Sequence, residues 1–132
     1  MKLLDTYFKI IGCQRSEDGL SGNFKVELDG NHPVYGGHFP GEPVCPGVCS
    51  MQMVKECATE LCNKELTFSY VKQYRLLSVM SPVKNSKIDI NIELTPSIKD
   101  EVEIYKIKAS VCHTDNAEIK YLDINGELTP AQ

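Results

Sequence analysis

Gly37-His38-Phe39-Pro40-Gly41-Glu42-Pro43-Val44-Cys45-Pro46-Gly47-Val48 is the stretch from which the rest of this chain is read. Together with the residues just before it, from 33 to 47, it holds four prolines and four glycines, so no regular structure is expected there. Its end is different. Pro46 suits the first position of a helix, where a missing N–H costs nothing. From there apolar residues fall at Val48, Met51, Val54, Ala58, Leu61 and Cys62, which predicts a helix over 48–62 of about four turns. A second row at Cys49, Met53 and Cys57 widens the apolar face and leaves Lys55, Glu56, Thr59 and Glu60 for solvent. A helix so apolar is expected to be wrapped by other elements.

Those elements lie on both sides of it. Before the loop, residues 7–13 and 22–29 read as strands; in the second, Phe24, Val26 and Leu28 alternate with polar neighbours. After the helix come strand patterns at 66–79, 87–94, 101–113 and 118–128, with turn chemistry at Ser81-Pro82, Thr95-Pro96, Asp115-Asn116 and Asn125-Gly126. One buried helix with about six antiparallel strands makes an α+β architecture, expected as a single domain over residues 1–132. A sheet around one helix leaves an exposed edge and a partly open helix end. Pairing with a copy of itself solves both, so a homodimer is expected.

Composition narrows the function. The chain has 132 residues, 42% apolar and 24% charged, with no tryptophan. No run reaches the ~18 apolar residues of a membrane span. A formal charge of −4 and a pI near 5.3, with no Lys/Arg cluster, argue against nucleic acid as a partner. The first eleven residues carry Asp5 and Lys9 and form no continuous apolar core of an export signal, so a cytoplasmic location is expected. The six cysteines (Cys13, Cys45, Cys49, Cys57, Cys62 and Cys112) then read as reduced thiols, four of them in or beside the helix as small hydrophobes. Neither paired C-x-x-C nor H-x-x-x-H spacing is present, and no metal site is expected.

The 37–48 string closely resembles the signature loop and helix start of β-hydroxyacyl-acyl-carrier-protein dehydratases of the FabA/FabZ type, with the polyene-pathway dehydratases a plausible subgroup. The strand order, the central helix and the Val71-Lys72-Gln73-Tyr74-Arg75 strand followed by Ser81-Pro82-Val83 agree with it. The resemblance implies a hotdog fold, a long helix wrapped by a roughly six-stranded antiparallel sheet. It implies dehydration of a 3-hydroxyacyl chain, presented on the phosphopantetheine arm of acyl carrier protein, to the trans-2-enoyl thioester. No cofactor is implied.

Such an elimination needs a base for the proton beside the carbonyl, donors for the enolate oxygen and an acid for the departing hydroxyl. His38 suits both proton transfers, because imidazole titrates near neutral pH. The helix start presents backbone N–H groups at its positive end, so Gly47 or Val48 is expected to polarise the thioester oxygen. Phe39 and Met51 are counted with them as substrate-binding residues, and Met51, Met53, Val54 and Val48 as candidate walls of an acyl tunnel. At position 52 the family usually carries Glu or Asp, working with the loop histidine of the other subunit. Here it is Gln52, which can orient a hydroxyl or water but has no proton to give. Two readings stay open: His38 performs both transfers with Gln52 orienting the leaving group, or the protein only binds acyl thioesters. Thioester hydrolysis is a third. Glu42, His32 and His113 read as solvated, and Lys72 and Arg75 as weak candidates for the carrier's acidic surface or phosphate.

Overall fold

The computed structural model describes residues 2–37 and 43–131. Strands β1 (Phe8–Arg15) and β2 (Ser21–Leu28) precede a single helical turn, α1 (Val34–Gly37), and the long helix α2 (Gly47–Cys62). Strands β3 (Leu66–Leu76), β4 (Lys87–Lys99), β5 (Val102–His113) and β6 (Lys120–Pro130) follow. All six strands form one antiparallel sheet in the order β1-β2-β4-β5-β6-β3, so β1 and β3 are its edges. This is the helix-and-sheet architecture the sequence implies.

Period-two alternation turns one face of the sheet toward α2. Ile88, Ile90, Ile92 and Leu94 of β4 are buried, while Lys87 and Glu93 are exposed. Register carries the pattern across strands: Phe24 pairs with Ile90, Ile90 with Val111, and Val111 with Leu122. Into this row α2 sets Met53, Val54, Cys57, Ala58 and Leu61, none more than 2% exposed. Each large side chain so buried contributes about 1.5–3 kcal/mol. The helix ends at Asn63 in the left-handed conformation, where Arg15 Nη1 donates to the Leu61 carbonyl at 3.3 Å.

Five local expectations are corrected. The Pro/Gly-rich segment is not wholly irregular, because α1 forms at its start: His32 Nδ1 accepts the Val34 N–H at 3.1 Å, and Tyr35 N donates to the His32 carbonyl at 3.1 Å. His32 is therefore half-buried, with its ring edge-on to Tyr7 at 5.5 Å, and not solvated. Pro46 caps α2 and does not begin it; its carbonyl accepts from Cys49 N and Ser50 N at 3.0 and 3.1 Å.

Thr95-Pro96 is strand, and β4 runs on to Lys99 before a hairpin at Asp100 and Glu101, both at positive φ. The reason is where β2 stops. Leu94 N still bonds to Leu20 O, and two residues on, the Pro96 nitrogen faces the same side, where no strand lies to need a donor. Asn125-Gly126 also lies within a strand. Opposite it β3 is bulged, and a Cβ built on Gly126 would sit 2.3 Å from the Tyr70 carbonyl oxygen. Gly126→Ala must push that backbone away, and we expect a loss of about 1–3 kcal/mol in chemical denaturation with an unchanged far-ultraviolet dichroism spectrum.

Candidate functional site at the start of the long helix

Gly47 and Val48 begin α2 ahead of its first intrahelical bonds, and no side chain among the described residues caps them. The cap residue supplies a carbonyl and no N–H, so the helix tip presents these two amides. Tyr74 of β3 fixes the turn from the other side, its hydroxyl donating to the Gly47 carbonyl at 2.6 Å. Burial holds the Tyr74 phenol above its ordinary pKa, so it stays a donor there. Gly47 is half-buried, Val48 is 68% exposed and Met51 is half-buried against the core. Met53 and Val54 are fully buried under the sheet, so they are core residues and not walls of an open tunnel.

An apolar groove of about 330 Å³ opens beside this tip, lined by Val44, Cys45 and Ser50, by the chain leaving β3 from Leu76 to Met80, and by Tyr121 and Leu122. The strap is held in place by Cys45 N on the Met80 carbonyl and Leu77 N on the Tyr121 carbonyl, both at 2.8 Å. Burial raises the Cys45 and Cys49 thiols above their ordinary range, so Cys45 serves as apolar lining and Cys49 as core, neither as a nucleophile. A larger depression of about 730 Å³ lies on the sheet's other face. It is floored by a row crossing every strand: Gln14, Asn23, Asn91, Ser110, Asp123 and Arg75. Asn23 Nδ2 is engaged by Asn91 Oδ1 at 2.7 Å, and Arg75 by both Asp123 oxygens at 3.0 and 2.6 Å. The members of those two pairs satisfy each other's polar groups.

Beneath the helix entry sits a cluster that sequence reasoning missed. Tyr7, fully buried, stacks on Tyr35 at 5.9 Å, and the Tyr35 hydroxyl lies 3.5 Å from Cys45 Sγ. This contact joins α1 to the chain at 45 and so clamps together the two sides of segment 38–42. Among the described residues no partner meets the geometry of a hydrogen bond to the Tyr7 hydroxyl, which lies beside both groups, and burial drives its pKa far upward.

The other correction concerns Glu56. Expected on a solvent face, it is only 8% exposed. Its carboxylate accepts Leu3 N at 3.0 and 2.8 Å, Leu4 N at 2.8 Å and, one helical turn back, Gln52 Nε2 at 2.8 Å. Gln52 is thus held by its own helix. Two residues along α2 is a rotation of about 200°, so the Gln52 amide and Ser50, which lines the groove, lie on opposite sides. His38, Phe39 and Glu42 lie outside the described residues. Arg75 is committed to Asp123, Lys72 is exposed, and His113, half-buried, accepts Asp115 N at 3.1 Å at the end of β5.

Known proteins agree with this architecture. Over 92% of the chain and 96% of the other, the fold matches the ApeI:P dehydratase heterocomplex of Xenorhabdus doucetiae, with a TM-score of 0.62 and 16% identity. A hypothetical thioesterase with coenzyme A from Streptococcus pneumoniae superimposes at 0.63 with 5% identity, over 94% of this chain and 85% of that one. Helix, sheet and neighbours together define a hotdog fold. In sequence, a 3-hydroxyacyl-acyl-carrier-protein dehydratase FabZ of Zymomonas mobilis is 28% identical over 115 residues, 85% of this chain and 71% of that protein. The FabZ of Herpetosiphon aurantiacus is 26% identical over 84 residues, 58% of this chain, and the match spans 60% of that protein's length. A family model described as ApeI-like, ApeI dehydratase, matches residues 14–115, and the chain belongs to that family.

Proposed function

We propose that this protein removes water from a 3-hydroxyacyl thioester carried on acyl carrier protein, giving the trans-2-enoyl thioester. The observation that carries the reading is the uncapped tip of α2 at Gly47 and Val48, opening beside an apolar groove directly after the sequence that holds His38. The His38 imidazole takes the proton from C2, and the carbonyl oxygen, charged as the enolate forms, rests on the Gly47 or Val48 N–H. The electron pair then closes the C2=C3 bond as the C3–O bond breaks. The same imidazolium returns its proton to the departing hydroxyl, which leaves as water. Gln52 of a second copy, at the position that in the family works with the loop histidine of the other subunit, holds that hydroxyl, and Phe39 and Met51 line the path of the acyl chain. The reaction needs no cofactor, and a cytoplasmic setting suits a carrier-bound substrate.

Incubation of the purified protein with a 3-hydroxyacyl carrier thioester tests this directly. Appearance of the conjugated enoyl thioester supports dehydration. Release of free acid means hydrolysis instead, and tight binding without either product means that Gln52 marks an acyl-binding protein.

The same reading includes a second copy of the chain. Edge strand β3 and the chain beyond it expose Tyr70, Val71, Leu76, Leu77 and Val79, with Val48 of the helix tip also exposed. Paired edge to edge, two copies would cover these side chains beside the groove. Leu76→Lys with Val79→Lys should weaken the homodimer by about 30-fold or more, read by sedimentation at graded concentration, with the fold retained.

A further inference from the structure

Tyr74 reaches from edge strand β3 to the start of α2, where its hydroxyl donates to the Gly47 carbonyl at 2.6 Å. The phenol is held in place by the pairing of Tyr74 with Ile124 in the sheet and by its packing, half-buried, against the core. The Gly47 carbonyl and the Val48 N–H belong to one planar trans peptide and point opposite ways. A donor on that oxygen therefore does two things to the N–H across the bond. It fixes the plane in which the N–H lies, and it draws electron density toward oxygen, leaving the N–H more positive, because hydrogen bonds in series polarise one another. A carbonyl has two lone pairs, so the phenol adds to the ladder of the helix without replacing any of it. The preceding peptide is loaded from within the helix, its Pro46 carbonyl accepting Cys49 N and Ser50 N at 3.0 and 3.1 Å. Among the described residues nothing accepts the Val48 N–H itself.

We propose that Tyr74 is a positioning residue for the dehydration, aiming and strengthening the Val48 N–H as the donor to the enolate oxygen. This rests on the dehydratase reading above. The phenol touches no reacting atom and acts through a single peptide bond. Charge on the thioester oxygen grows only as the C2 proton leaves, so a stronger donor gains more in the transition state than in the bound substrate. Its effect falls on the rate and not on binding. The alternative role for Tyr74 is a pin that only ties α2 to β3.

Two altered proteins separate these roles, each compared with wild type at neutral pH for single-turnover rate of enoyl formation, half-saturating substrate concentration and melting temperature. Tyr74→Phe removes the hydroxyl and keeps the ring. Replacement of Tyr74 by 3-fluorotyrosine keeps the pin and makes the phenol a stronger donor; burial, which holds this phenol above its ordinary pKa, keeps it protonated. Positioning predicts that the rate per folded molecule falls about 3- to 10-fold in Tyr74→Phe, with half-saturation within about twofold, and rises about 1.5- to 2-fold with fluorotyrosine. An unchanged rate in Tyr74→Phe overturns the proposal. So does a loss confined to half-saturation or to melting temperature, the result a pin alone would give, and so does a fluorotyrosine protein no faster than wild type. If Tyr74→Phe does not fold, the fluorotyrosine protein decides by the same comparison. Absence of enoyl product from wild type itself is a separate outcome, which removes the dehydratase reading and this inference with it.

Discussion

Turnover of a 3-hydroxyacyl carrier thioester is expected to fall about a thousandfold in His38→Ala, with little change in melting temperature. Positioned acid–base groups typically contribute 10²–10⁴ in rate, and this imidazole is assigned both proton transfers, so the middle of that range is a conservative figure. A thousandfold corresponds to about 4 kcal/mol of activation free energy. No second imidazole can stand in. His32 caps α1 and packs edge-on to Tyr7, while His113 lies at the far end of β5 with its Nδ1 on the Asp115 amide. His113→Ala is the matched control and should keep wild-type turnover. A residual rate in His38→Ala within tenfold of wild type would remove the imidazole from the mechanism.

The second large effect is on stability. Because the family usually carries an acid at position 52, Gln52→Glu would be expected to leave the fold intact. The hydrogen bond to Glu56 reverses that expectation, because the substitution sets a second carboxyl at 2.8 Å from a buried one. Two carboxylates that close cannot both ionise, so the pair keeps one proton and one of its pKa values rises above the unfolded reference of about 4.3. The folded variant then binds more protons than the unfolded chain over that interval. Stability is accordingly full below about pH 4.3 and is lost as pH climbs toward the raised value. A separation of about two to three pKa units corresponds to a deficit of about 3–4 kcal/mol at pH 8 relative to pH 4 beyond any wild-type trend. Urea denaturation at the two pH values measures it, and parallel curves for variant and wild type would show that the two side chains do not meet.

Much of the architecture was legible because it is periodic. The alternation of Ile88, Ile90, Ile92 and Leu94 fixes both strand and face, and the apolar rows from Val48 to Cys62 fix the helix. What escaped was set by distant chain. Thr95-Pro96 is turn chemistry in isolation, and only the end of β2 beside it makes a proline harmless there. Glu56 falls among the polar residues of its helix, and nothing near it announces that Leu3 and Leu4, more than fifty residues away, bring it donors. The Gln-x-x-x-Glu spacing was the available signal, since residues four apart on a helix touch. Tyr7, Tyr35 and Cys45 come from three separate segments and carry no common pattern. At the site, the helix tip was readable from Pro46-Gly47-Val48, whereas the groove was not, being walled by the strap after β3 and by Tyr121.

The two margins of the sheet are unlike. At β1 the ladder slips between Ile10 and Gly12, and Lys9, Gln14 and Arg15 stand in water, a border that resists annexing a further strand. β1 also bares Ile11, but β3 and the chain beyond it bare more apolar side chains: Tyr70, Val71, Leu76, Leu77 and Val79. A ribbon that can be extended at one border only has no means of growing indefinitely: like joined to like about a twofold axis uses up the sole welcoming margin and leaves inhospitable ones outward. Paired as proposed above, two such molecules would close on one another and stay out of fibrils.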